Sequence, residues 1–398
     1  DTAFKQQRLK AWQPILTPKT VLPTFFAIGA VFIPLGIGLF IASEKVDQVM
    51  FEYTQCKFTA TSNFTAPTSN YGPITQWKYD PTSQTCTVQF SVGQNFQPPV
   101  YLYYRLTNFY QNHRKYVKSF DTNQLRGDLV STAGGLTSNC DPLRAASQLS
   151  DPSYGLVKVN GVETNVSSTA QIYPCGLIAN SFFSDDIGNL TCVAGSFTDS
   201  TGTTVTCSPN STLQTTYPFF PDGIAWPSDG DKYKLSQWNI TRPDDIPTNL
   251  VPPPMWRQAF PQWKDGYNSS NFPNLNTNTR FQVWMRTAGL PNFRKLWGKN
   301  STPLPAATYE ISIVDNFDVS KFSGTKSIVI STVSILGGKN PFLGIAYISV
   351  GSVCWFLGTV FLIRNMMKPR KLGDHTYLSW NQPQNNRAGA AGGADTVN

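Results

Sequence analysis

The sequence predicts a membrane protein with two transmembrane helices and a large, mainly antiparallel-β, sandwich-like exoplasmic domain with long loops and disulfides. Three observations carry that prediction. Two runs near the ends, Val21 to Ser43 and Pro341 to Ile363, contain no charged residue. Six of the seven cysteines lie between them. The same middle region alternates apolar and polar residues in the manner of half-buried strands.

Each apolar run is roughly 34 Å long as a helix, enough for a hydrocarbon core of about 30 Å. A cleaved signal peptide is the alternative for the first run. Its length, the polar stretch ahead of it and the lack of a small-residue exit argue against that. Pro23 and Pro34 interrupt its hydrogen-bond ladder, and Gly29, Gly36 and Gly38 thin one side, so it should pack on other helices. In the second run Gly344, Ser352 and Gly358 permit similar contact. Neither run holds an ionisable carboxylate, lysine or arginine, which speaks against an ion pathway.

Cations orient the pair. Lys5, Arg8, Lys10 and Lys19 precede the first run, and Arg364, Lys368, Arg370 and Lys371 follow the second. The positive-inside rule then puts both termini in the cytosol. The resulting plan is a cytosolic segment 1–20 with an interfacial helix, a span 21–43, an exoplasmic or lumenal domain 44–340, a span 341–363, and a largely disordered cytosolic tail 364–398. Because the chain begins at Asp1 rather than Met, part of a cytosolic N-terminus is expected to be missing. The net charge of +8 sits mostly at the two ends, so no nucleic-acid stripe is implied.

The middle region carries Cys56, Cys86, Cys140, Cys175, Cys192 and Cys207, an even set on the oxidising side, while Cys354 falls inside the second span. They predict a disulfide framework, with fifteen pairings open from the residues alone. Sequons occur at Asn63, Asn165, Asn189, Asn210, Asn239, Asn268 and Asn300, all in the same region. About five would arise by chance at this composition, so they corroborate the topology only mildly. Val100 to Thr107 alternates strictly, with Val100, Leu102, Tyr104 and Leu106 on one face. Thr308–Val314, Ser327–Val333 and the shorter Phe281–Met285 read as further strands, separated by Pro-, Asn- and Ser-rich stretches.

Chemistry is sparse. Only two histidines occur in 398 residues, which removes most acid–base and metal-site readings. No phosphate loop is present, and "GTKS" at Gly324–Ser327 is flanked by strand. The adjacent acids Asp185–Asp186 and Asp244–Asp245 fit turns or caps better than paired catalytic carboxylates. "SDGDKY" at Ser228–Tyr233 lacks the ligands of a calcium loop. The stretch "FYQNHRKYVKSF" at Phe109–Phe120 looks most like a site, yet His113 has no nucleophile or metal partner in sight. Its cations read instead as buried hydrogen bonding or as contacts, with His113, Arg114 and Lys118 as the candidate partner-binding residues. No catalytic, cofactor-binding or metal-binding residue is assigned, and no cofactor is expected.

Several ordered blocks carry a resemblance. They are "FKQQRLKAWQPILTP" at Phe4–Pro18, "TNFYQNHRKYVKSFD" at Thr107–Asp121, "YPCGLIANSFFSD" at Tyr173–Asp185, "VPPPMW" at Val251–Trp256, "FQVWMRTAGLPNFRKL" at Phe281–Leu296, "SGTKS" at Ser323–Ser327 and "GDHTYL" at Gly373–Leu378. With the two-span topology, the chain resembles the β-subunits of type-four P-type ATPases, the lipid flippases of the ligand-effect-modulator or cell-division-control-fifty family, with fungal-looking first and last blocks. The resemblance implies a non-catalytic subunit that binds the ATPase and supports its folding, its exit from the endoplasmic reticulum to the Golgi, endosome or plasma membrane, and phospholipid transport. It also implies the bridges Cys56–Cys86 and Cys140–Cys175, which leaves Cys192 and Cys207 for each other. Relatives carry a sequon after "IANS" where this chain has Ser184-Asp185-Asp186, so Asn189 is the substitute; Asn239 and Asn300 lie where relatives have sequons. Phe4, Arg8 and Trp12, with Ile15, recur at helical spacing and suit an interfacial helix at the partner or the cytosolic leaflet. Two other classes compete: a two-span ligand-gated channel subunit, whose pore would need a more polar second span, and a membrane-anchored lumenal hydrolase, which would need a working His113.

Overall fold

The computed structural model describes residues 2, 4–6, 17–149, 156–159, 162–198, 204–207, 216–334 and 337–369. It divides into two compact units, one of residues 1–45 with 340–398 and one of residues 46–339.

The first unit contains two long helices, Pro18–Glu44 and Phe342–Met367. Each is a few residues longer than its charge-free run, because the flanking polar residues continue the helix. Thr17 opens the first, exchanging hydrogen bonds with Thr20, and Pro18 occupies the opening turn, where a missing N–H costs nothing. The two helices meet along a seam of small residues. The residues buried there are Gly29, Gly36 and Ser43 on one helix and Gly344, Gly351 and Gly358 on the other. A seven-residue spacing on both sides keeps a single face inward, which is the geometry of a close helix pair. A Cβ at Gly36 would stand 2.8 Å from the Ile348 nitrogen, and one at Gly29 only 1.8 Å from Trp355 Cδ1. Trp355 then donates its indole N–H to the Phe26 carbonyl at 3.2 Å.

Two sequence expectations change here. Gly38 faces open space and Ser352 is exposed, while Gly351 takes the central seam position. Two positions along a helix is a turn of about 200°, so Gly38 cannot share the face of Gly36. Apart from the seam, both helices present apolar side chains outward. Gly351→Ile is expected to separate them. With cysteines placed at Phe32 and Tyr347, whose rings lie 5.0 Å apart, oxidative cross-linking should be efficient in the parent background and largely lost in the Gly351→Ile background.

The second unit is a β-sandwich. One sheet has four antiparallel strands in the order Gln48–Glu52, Lys326–Ser331, Val100–Leu106, Phe293–Asn300. The other has the path Thr204–Cys207, Leu190–Thr198, Ala307–Val314, Thr85–Val92, Ile74–Asp80, with two short strands added at its side. Val100, Leu102, Tyr104 and Leu106 are all buried, as the alternation demands, while Tyr101, Tyr103 and Arg105 are half-buried on the reverse face. Phe51 of the first sheet and Phe90 of the second approach to 4.7 Å between ring centres, so the two sheets share one core.

Phe281–Met285 is not a strand. It lies in a helix, Thr279–Met285, whose first turn is capped by the Asn278 side chain accepting from the Phe281 N–H at 3.0 Å. All five residues are buried, and a short apolar run enclosed on every side has no period by which to tell helix from strand. Disulfides join Cys56 to Cys86, Cys140 to Cys175 and Cys192 to Cys207, and Cys354 is a free thiol.

Candidate partner-binding surface

The Phe109–Phe120 stretch leaves the end of strand Val100–Leu106 and turns into the short helix Arg114–Val117. Its residues divide cleanly by direction. Gln111, Tyr116 and Ser119 are buried, whereas Asn112, His113, Arg114, Lys115 and Lys118 are exposed. The inward set fixes the segment. Gln111 Oε1 accepts from the Ala288 N–H at 2.9 Å, and the Tyr116 hydroxyl lies 2.7 Å from Ser181 Oγ. Burial pushes the Tyr116 phenol up to about 12, so it stays protonated and available to donate. Ser119 Oγ accepts from the Leu177 N–H at 2.9 Å.

Asp121, the one acid near His113 in sequence, is fully occupied elsewhere. Its two carboxylate oxygens accept from the N–H groups of Gln124 and Thr137, each at 2.8 Å. Among the described residues no carboxylate pairs with His113, and the outward Arg114, Lys115 and Lys118 form a row of cations with no ion pair. Beside it the 286–292 loop is tied in by Asn112, which donates to the Gly289 carbonyl at 3.0 Å. Tyr110 (58% exposed) and Leu290 (70% exposed) stand out from this surface. Cations around exposed apolar side chains make this surface a candidate for contact with a partner.

Five of the quoted sequence blocks, those between Thr107 and Ser327, come together beneath that surface. The short helix Leu177–Asn180 is their meeting point. Trp256 donates its indole N–H to the Ala179 carbonyl at 2.7 Å, and Trp284 donates to the Ile178 carbonyl at 2.8 Å. Gly176 needs its positive φ of 97°, and a Cβ there would lie 2.1 Å from the Ser119 carbonyl oxygen. Thr107 and Thr325 share a hydroxyl pair at 2.9 Å, which joins "TNFYQNH" to "SGTKS".

A charged cluster lies in the same core. Lys326 Nζ contacts Asp185 Oδ2 at 2.7 Å, pairs with Asp315 and donates to the Phe317 carbonyl at 2.8 Å. The Tyr53 hydroxyl donates to Asp185 at 2.7 Å, and the N–H groups of Asn316 and Phe317 complete that carboxylate. The Lys326 and Asp185 side chains are only 2% and 0% exposed. Burial pushes the Asp185 carboxyl up, opposed by the Lys326 charge. Burial also works against the Lys326 ammonium, but the two carboxylates outweigh it and hold it above the ordinary lysine value. The lysine of "GTKS" is thus consumed by an internal ion pair and cannot serve a phosphate.

The sequence profile of the LEM3 (ligand-effect modulator 3) / CDC50 family matches residues 39–371. The chain belongs to the LEM3/CDC50 family. Among its relatives, "Phospholipid-transporting ATPase accessory subunit CRF1" of Saccharomyces cerevisiae is 38% identical over 395 residues, covering 96% of this chain and 88% of the relative. "Phospholipid-transporting ATPase accessory subunit CDC50" of Chaetomium thermophilum is 36% identical, covering 96% of this chain and 91% of that one. "Cell cycle control protein 50A" of Mus musculus is 38% identical over 372 residues, 92% of this chain and 88% of the relative.

Within this LEM3/CDC50 chain the other sequence candidates fall as follows. Asn63, Asn165, Asn189 and Asn268 are exposed, and Asn239 is half-buried. Asn300 is buried and donates Nδ2 to the Pro218 carbonyl at 2.7 Å, which uses one of its two amide hydrogens. Asn210 lies outside the described residues, as do Arg8 and Trp12 and the block 373–378; Phe4 is exposed. Asp186 is exposed, and Asp244–Asp245 form part of a single 3₁₀ turn. Asp185, assigned to a turn from sequence, is instead the buried anion of the cluster. Two further buried charges had no sequence signal. Asp229 of "SDGDKY" holds Lys232 and Arg286. Lys295 donates to the carbonyls of Val283, Trp284 and Arg286 at the end of helix Thr279–Met285, and burial pulls it down to about 7.

Proposed function

We propose that this chain is the non-catalytic accessory (β) subunit of a phospholipid-translocating type-four P-type ATPase, needed for the folding, endoplasmic-reticulum exit, stability and transport activity of the catalytic subunit. The observation that carries this reading is the end-to-end match to relatives named as accessory subunits of phospholipid-transporting ATPases. The two apolar helices fit a membrane partner: they pair through one narrow seam and leave most of their apolar surface for lipid or for the partner's spans.

In this reading residues 1–20 and 364–398 are cytosolic, the spans begin and end near 21–43 and 341–363, and residues 44–340 face the lumen or exterior, en route to the Golgi, endosome or plasma membrane. The cation asymmetry supports that orientation. Phe4, Arg8 and Trp12 would lie on the cytosolic leaflet against the partner, and His113, Arg114 and Lys118 would meet its exoplasmic loops.

Depleting the chain tests the function. Inward transport of a fluorescent phospholipid should fall and return on re-expression; unchanged transport counts against the proposal. The contact surface has its own test. Replacing His113, Arg114 and Lys118 together by alanine should weaken recovery of the ATPase about fivefold, as the two solvent-exposed charge pairs of Arg114 and Lys118, about 0.5 kcal/mol each, would give. The parent complex should be the more salt-sensitive of the two. Equal recovery and equal salt dependence would assign the stretch to folding alone.

A further inference from the structure

We propose that a cleft in the sandwich unit is a binding site for a neutral saccharide chain. The cleft encloses about 570 Å³ between the short helix Cys56–Thr59, the Asp80–Gln84 turn, the end of helix Pro254–Ala259 and the 315–325 connection. Its chemistry selects the ligand class. Gln55, Gln84 and Gln258 line it, and their side-chain amides make no hydrogen bond among the described residues. Phe58 stands at the cleft 69% exposed.

Other ligand classes fit less well. An anion would need a net excess of cations, but the three lysines at the cleft, Lys57, Lys321 and Lys326, are balanced by Asp318, Asp315 and the adjoining Asp185. A metal ion would meet the Lys326 ammonium, and no group of three metal-ligating side chains occurs among the described residues. An acyl chain would strip water from three carboxamides without replacing their hydrogen bonds. A saccharide satisfies all the groups present: hydroxyls both donate to and accept from amides, and the C–H face of a sugar ring packs on an exposed aromatic ring.

Such a chain could come from two sources. Asn63, an exposed sequon asparagine, lies five residues beyond Phe58, at most about 18 Å even if extended. The Thr61 carbonyl accepts from the Tyr79 N–H at 2.8 Å, which brings the Asn63 segment alongside the strand that enters the Gln84 turn. The cleft would then hold the protein's own glycan; otherwise it would hold one borne by another molecule. The proposal is independent of the accessory-subunit reading and can fail while that reading stands.

The test uses the full chain in mild detergent, trimmed with an endoglycosidase, and a fluorescent high-mannose oligosaccharide as probe. Saturable binding is expected, weakened at least about tenfold by Phe58→Ala and by Gln258→Ala. Both positions are exposed, so thermal unfolding should be unchanged and serves as the folding control. Before trimming, Asn63→Gln should raise probe binding if the chain's own glycan fills the cleft. It should leave probe binding unchanged if the ligand belongs to another molecule. Absence of saturable binding to the trimmed chain, or binding indifferent to both substitutions, would overturn the proposal.

Discussion

Replacing Lys326 by methionine is expected to cost the sandwich unit roughly 3–5 kcal/mol, because Asp185 would be left as a buried charge without its counter-ion. That is a large part of the 5–15 kcal/mol by which a domain is ordinarily stable. The Asp185 carboxylate is completely enclosed and still accepts from Tyr53 and two backbone N–H groups, so it cannot turn to water. Replacing both members, Lys326→Met with Asp185→Asn, should recover much of the loss, since the fully enclosed charge is then gone and only the less enclosed Asp315 loses its partner. Asp315, whose side chain is 12% exposed, should matter less. Urea or thermal unfolding of the detergent-solubilised chain measures all three. A single Lys326→Met variant as stable as the parent would show that the pair contributes nothing.

The same cluster has a pH signature. The folded-state value of Lys326 is raised above the unfolded value, about 10.4 for a free lysine. Folding therefore retains a proton that the unfolded chain releases. The contribution is fully present below pH 10.4 or so and is lost as pH rises through the folded value. The parent should lose stability on that alkaline limb more steeply than the double variant.

Removing the Cys140–Cys175 bridge should have an effect of similar size, about 4 kcal/mol for a loop of this length. The bridge clamps the 138–140 turn onto the segment that begins helix Leu177–Asn180, the junction to which Trp256 and Trp284 are bonded. Cys175 also donates its N–H to Gln124 Oε1 at 2.8 Å, and Gln124 in turn donates to Gln171 and the Ile172 carbonyl. Serine at both positions should thus loosen the whole support of the Phe109–Phe120 surface. In cells the expected result is retention of the chain and of its partner in the endoplasmic reticulum. Normal export of the double-serine variant would remove the structural role.

What could be read from sequence follows the range of the signal. The two long apolar helices and the strand Val100–Leu106 were legible because hydropathy and alternation are local properties. The seam between the helices was only half legible: Gly29, Gly36, Gly344 and Gly358 stood out, but the seven-residue register that selects Gly351 over Ser352 needs the partner helix. The Asp185–Lys326 pair was illegible because its members are 141 residues apart. Its acid hides beside an exposed one in Asp185–Asp186, and its lysine hides in a phosphate-loop look-alike. Helix Thr279–Met285 was missed because burial on every side erases the period. The Phe109–Phe120 stretch was recognisable as unusual, but only the fold separates its buried amide, phenol and hydroxyl from its outward cations.

Isolating the native complex is the direct check on the ATPase partner. Purification of the tagged full chain in mild detergent, with mass spectrometry of what accompanies it, is predicted to recover a type-four P-type ATPase of roughly ten spans in stoichiometric amount. Reproducible recovery of the chain without any such ATPase would contradict the account.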